Sequence, residues 1–150
     1  MNLQKWLLGE KMILQDDFFG IIESDRTRNK KAKSLSWYFS AKIWDFKNET
    51  SIITEGNYLG IDSMQKEILK DFVLNFGNKY SIQIHDILSK EQDIDLEKWK
   101  TDYYISTIHP ALNELENNFE IVFESYNNDG CIYMMILANS RLNNLLKVKR

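Results

Sequence analysis

The side chains best suited to chemistry are few: His85, His109 and Cys131, set among 22 acidic residues. A histidine beside a carboxylate can serve as a general base, and His85-Asp86 offers that pair in sequence. The spacing works against it. Helix neighbours point about 100° apart, and only residues three or four apart share a face. A structural or surface role is the default for His85. His109 precedes Pro110 at the end of a strand pattern, and nothing in the sequence makes the two histidines converge. Cys131 opens a strand after Gly130. Its default is a small buried hydrophobe, because a nucleophilic thiol needs a base beside it.

One cysteine closes no internal disulfide, which fits a reducing compartment. One cysteine and two histidines also fall short of a four-ligand zinc site. The sequence holds no D-x-D-x-D-G calcium loop, no glycine-rich phosphate motif, no H-E-x-x-H and no G-x-S-x-G. No cofactor or metal is expected. No run approaches the ~18 apolar residues of a membrane span. Trp6-Leu7-Leu8 is too short for the apolar core of a signal peptide. A cytoplasmic protein without a membrane partner is the expectation.

Charge is distributed unevenly. The formal net charge is −3, yet residues 86–129 hold eleven acids against three bases, a local −8. Residues 26–33 hold five bases and no acid, and residues 141–150 hold four more bases. Within the acidic segment, Asp86, Glu91, Asp93, Asp95, Glu97 and Asp102 surround Trp99 and Tyr103. Aromatics anchor interfaces and charges steer encounters, so these eight residues form the candidate partner-binding site, for a basic protein. The competing reading is a solvated helix face. A second candidate is a nucleic-acid module, with the basic loop 26–33 beside Ser36, Trp37, Tyr38, Phe39 and Trp44. Aromatics alternating on a strand are more often core, and the acidic total opposes nucleic acid. A small enzyme using His85 or His109 is the third reading.

These residues need a scaffold, and the hydrophobic periods outline one. Residues 12–14 and 18–22 read as strands, followed by a loop over 23–34. SWYFSAKIWDF (36–46) and TSIIT (50–54) complete an antiparallel meander. From Ile61 the apolar steps become three and four, predicting a helix capped by Asp62 or Ser63. Gly77-Asn78 is expected to end it. A second helix carries Tyr80, Ile84, Ile87 and Leu88, and Asp95 caps a short third. Residues 103–109 alternate weakly, and 110–116 fit a helix start or a strand equally. FEIVFESY (119–126), NNDG (127–130) and CIYMMILA (131–138) form a hairpin. Leu145, Leu146 and Val148 suggest a final edge strand, blunted by the terminal bases. Strands, helices, then strands predict one α+β domain over 1–150. Its sheet is largely antiparallel, with two to three central helices on one face.

The order of these stretches also has a family look. DDFFGIIES (16–24), a loop, SWYFSAKI (36–43), a helical middle and FEIVFESYNNDGCIYMMI (119–136) follow one another. In that order the chain resembles small bacterial immunity proteins of polymorphic or contact-dependent toxin systems. The resemblance spans roughly residues 12–138 and rests on element order. The carboxy-terminal strand lacks a glycine–histidine element that some of these relatives carry, so no residue role is transferred. The resemblance implies a protein that binds and neutralises one cognate toxin domain. An acidic surface would suit a basic nuclease, occluding or mimicking its phosphate-binding site.

Overall fold

The computed structural model describes residues 3–91, 94–112, 117–127 and 130–149. A short helix α1 (Leu3–Leu8) leads into the strands β1 (Glu10–Asp16), β2 (Gly20–Thr27), β3 (Leu35–Ala41), β4 (Thr50–Asn57) and β5 (Gly60–Ile61). Next come α2 (Ser63–Leu74), a π-helical turn (Phe76–Tyr80), α3 (Ser81–Leu88) and the single turn α4 (Trp99–Asp102). The strands β6 (Tyr103–Pro110), β7 (Phe119–Ser125), β8 (Cys131–Ala138) and β9 (Arg141–Lys149) finish the chain. The protein is α+β.

All the strands belong to one sheet, ordered β1-β2-β3-β4-β6-β7-β8-β9, with β5 paired to β4 beside that path. Every pairing is antiparallel except β4–β6, where Ser51 faces Thr107 and Ile52 faces Ile108. Parallel neighbours need a long crossover. Here the helical middle supplies it, and so lies against the sheet. The meander and the carboxy-terminal hairpin thus become halves of one continuous sheet.

Alternation decides what each face holds. Ile22, Trp37, Phe39, Ile52, Ile105, Ile121, Phe123, Tyr133 and Met135 point to the helical side and are buried. Leu69, Phe72, Phe76, Tyr80, Ile84 and Leu88 descend onto them from the helices. These helical steps of three and four form the stripe expected of a core-facing helix. The opposite face carries Ile13, Tyr38, His109, Glu120, Val122 and Met134, none of them buried.

Local chemistry explains the joints. Asp62 caps α2, its carboxylate accepting from the N–H groups of Met64 and Gln65. Gly77-Asn78 does not end the helix. The backbone continues through the π-helical turn, and a Cβ on Gly77 would come 3.1 Å from the indole nitrogen of Trp44. Its glycine therefore admits an aromatic ring. The expected loop 23–34 is shorter than read, because β2 runs on to Thr27. A bulge at Ser24–Asp25 keeps β2 in register with β1, and the Ser24 hydroxyl accepts from the Met12 N–H at 2.9 Å. The β8–β9 turn uses Asn139 and Ser140 at φ 50° and 59°, the conformation of a type I′ hairpin.

Candidate partner-binding surfaces

The acidic candidates sit on α3 and on the segment running from it to β6. Asp86, on the outer side of α3, is exposed, and Glu91 beyond the helix end is half-buried. Asp95 and Glu97 are exposed, and the Asp95 carboxylate accepts from the Glu97 N–H at 3.0 Å. This bond fixes the turn before α4, as an Asx turn does. Asp95 also lies 3.6 Å from the Lys98 ammonium, an exposed pair that water screens strongly. Asp102 is half-buried, and its carbonyl accepts from the Tyr126 N–H at 2.8 Å, tying α4 to β7. Asp93 lies outside the described residues.

The two aromatics of this candidate site do not serve as surface anchors in the same way. Trp99 is 1% exposed and belongs to the core, which removes it from any docking surface. Lys100 lies over it, 5.7 Å from the ring centroid, and over Trp44 at 5.1 Å. The cation thus covers the indole that sequence reading placed at the surface. Tyr103 is half-buried and meets Tyr133 edge to face at 5.5 Å. The aromatic positions are structural supports, and the acids around them are what solvent meets.

The nucleic-acid reading fares similarly at its aromatics. Trp37 and Phe39 are buried, and the Trp37 indole N–H donates to the Asn57 carbonyl at 3.1 Å. Trp44 is half-buried against Phe46 and Phe76. Of the five residues of that platform, Tyr38 alone is well exposed, and it lies on the open sheet face. The aromatic ring standing beside the basic hairpin is instead Trp6, at 60% exposure. In the sequence, Trp6-Leu7-Leu8 is too short for a leader core and carries no period that marks it as surface.

His85 is exposed on α3, whereas His109 stands on the open face of β6. The sheet separates them. His109 Nε2 lies 3.4 Å from Glu120 Oε2 on the neighbouring strand. Its other ring nitrogen lies 3.1 Å from the Pro110 carbonyl. Cross-strand neighbours on a sheet commonly pair in this way. Among the described residues, no three His, Cys, Asp or Glu side chains are grouped to hold a metal. None of the described helices is long and apolar enough to cross a membrane.

Two ionic clusters hold the periphery. Lys66 reaches from α2 to Asp16, at 2.8 Å, and to Asp17 in the β1–β2 turn. Burial pushes the Asp16 carboxyl up. The Lys66 ammonium and the Phe18 and Phe19 N–H groups outweigh burial and hold it below its ordinary value. In the second cluster, Asp71 accepts from Lys79 at 2.8 Å, from the Tyr80 hydroxyl and from Asn75. Here too burial is outweighed and the carboxyl stays low. The Tyr80 phenol is pushed up, first by burial and then by its bond to Asp71. Both clusters are held by partners within the fold. Comparison of the chain with protein-family models, curated proteins and solved structures finds no match to any of them.

Proposed function

We propose that this chain is an immunity-type protein that binds one cognate bacterial toxin domain and neutralises it by occlusion. Its binding surface is acidic. The reading rests on one observation: Asp86, Asp95 and Glu97 stand exposed, with Glu91 and Asp102 half-buried near them in the chain. Such a surface attracts a basic domain and speeds encounter through long-range steering. The toxin it fits best is a nuclease, whose own substrate is a polyanion.

The test begins with the neighbouring gene, where a large secreted protein with a variable carboxy-terminal domain is expected, and continues with co-expression of the two. Growth rescue together with a stable purified complex is the expected result. Failure of both rescue and complex formation overturns the proposal. Charge reversal of Asp86, Asp95 and Glu97 together then asks whether this surface is the one used. Association should slow and lose much of its salt dependence. On-rates unchanged at low salt would place the interface elsewhere.

A further inference from the structure

We propose that α1 and the basic hairpin beside it form a docking surface for an anionic phospholipid bilayer. This role is separate from toxin binding and would make the protein peripheral to a membrane without crossing it.

The apolar component is α1. Leu3 is 66% exposed, Trp6 60%, Leu7 47% and Leu8 58%, and no residue of the helix is buried. Scattered apolar side chains are ordinary on a surface, but four large ones on six consecutive residues are not. The helix is also held in place. The Arg28 guanidinium donates to the Leu7 carbonyl, and Arg26 donates to the Gly9 carbonyl at 3.3 Å. Both bonds cap the carboxy-terminal end of α1, where a cation is favourable. Gly9 has φ +80°, and a Cβ there would lie 2.3 Å from the Thr27 carbonyl. Only glycine lets the chain cross β2 so closely, and this crossing sets where the helix emerges.

The charged component surrounds it. A cleft of about 380 Å³ between α1 and the β1–β2 hairpin is lined by Lys5, Trp6, Lys11, Arg28 and Lys30, with Glu10 as its one acid among the described residues. Lys31 and Lys33 follow on the same loop and are exposed. An interfacial helix buries leucine and tryptophan at the acyl boundary, and its basic residues meet anionic headgroups. Each lysine or arginine near such a surface adds attraction that falls off within a Debye length. Lys5 and Lys11 pair with Glu10 and Glu23, so Lys30 in the cleft, with Lys31 and Lys33 on its loop, would meet the headgroup phosphates beside the inserted helix. A second copy packed through this same surface would bring like charges together. A single-stranded nucleic acid would use the cations and Trp6 but leave Leu3, Leu7 and Leu8 in water. A bilayer uses both components.

The test is co-sedimentation of the intact chain with vesicles, one set of phosphatidylcholine alone and one mixed with phosphatidylglycerol. Two variants are run beside it: Leu3→Ser/Leu7→Ser and Lys30→Glu/Lys31→Glu. All four side chains are exposed, so thermal unfolding should match the parent and show that the fold is kept. The parent should pellet with the mixed vesicles at low salt and stay in solution with the neutral ones. Each variant should partition at least about tenfold less. Failure to pellet with anionic vesicles overturns the proposal, as does equal pelleting with neutral ones. Undiminished pelleting of the leucine variant also overturns it. In that case, retention of an oligothymidylate by the parent and its loss in the lysine variant would identify a polyanion site instead. Toxin neutralisation is read separately, so the two proposals stand or fall apart.

Discussion

Trp37 and Trp99 are equally hidden from solvent, yet they differ at one atom. The Trp37 indole N–H has an acceptor, whereas that of Trp99 has no hydrogen-bond partner among the described residues. Replacing Trp37 by phenylalanine removes volume and the hydrogen bond to the Asn57 carbonyl, whereas Trp99→Phe removes volume and an unpaired donor. Trp37→Phe should therefore cost about 1 kcal/mol more in denaturant unfolding. Acid titration reads two other residues. Asp16 and Asp71 are held below the ordinary carboxyl value of 3.8 in the folded chain. As pH falls, the unfolded chain takes up protons first. Their stabilisation is complete above pH 3.8 and drains away below it, toward their lower folded values. The urea midpoint should drop as pH falls below about 4, and Asp16→Asn/Asp71→Asn should flatten that drop. At this scale the sequence was read well for charge and poorly for aromatics. A tryptophan flanked by lysines looks solvent-facing, but α4 is one turn long, too short for a period to show which side faces in.

The helices and hairpins were the most legible part of the chain. α2 has three turns of consistent spacing and a capping aspartate at its start. Asp62→Ala should cost about 1 kcal/mol, seen in the thermal midpoint. β7 and β8 alternate cleanly, because one face is core and the other is not. Three features escaped. The π-helical turn runs through a Gly-Asn pair that ordinarily stops a helix, because packing against Trp44 overrides local propensity. The β8–β9 turn uses Asn-Ser where Asn-Gly is the stronger signal, so β9 was read only from Leu145. The close approach of β4 and β5 leaves no trace in composition. A Cβ on Gly56 would lie 2.1 Å from the Gly60 carbonyl, so Gly56→Ala should cost ~1–3 kcal/mol in denaturant unfolding.

For the molecule as a whole, the order of strands, helices and strands was enough to name the class, since a helical middle between two antiparallel runs has few arrangements. What it could not show was that both runs share one sheet. The β4–β6 contact joins residues more than fifty positions apart, and no period encodes that. The uneven charge likewise became interpretable only in space. The acids lie on and after α3, and the bases gather where the first hairpin meets α1. The candidate acidic site was half legible: its exposed carboxylates were readable from charge alone, whereas Trp99 proved to be core and Tyr103 half-buried.

The parallel contact between β4 and β6 also bears on how the chain reaches its fold. Its ladder spans only two residue pairs, reinforced by the Thr50 hydroxyl donating to the Ile105 carbonyl at 2.8 Å. Everything else in the sheet is built from neighbours in sequence, which find each other quickly. Only this seam must wait until the intervening helices close a long loop. It is thus the natural late step of folding. Amide hydrogens of Ile52 and Ile108 should gain protection after those of the β1–β2 and β7–β8 hairpins in pulsed hydrogen exchange, the last stitch between two halves already formed.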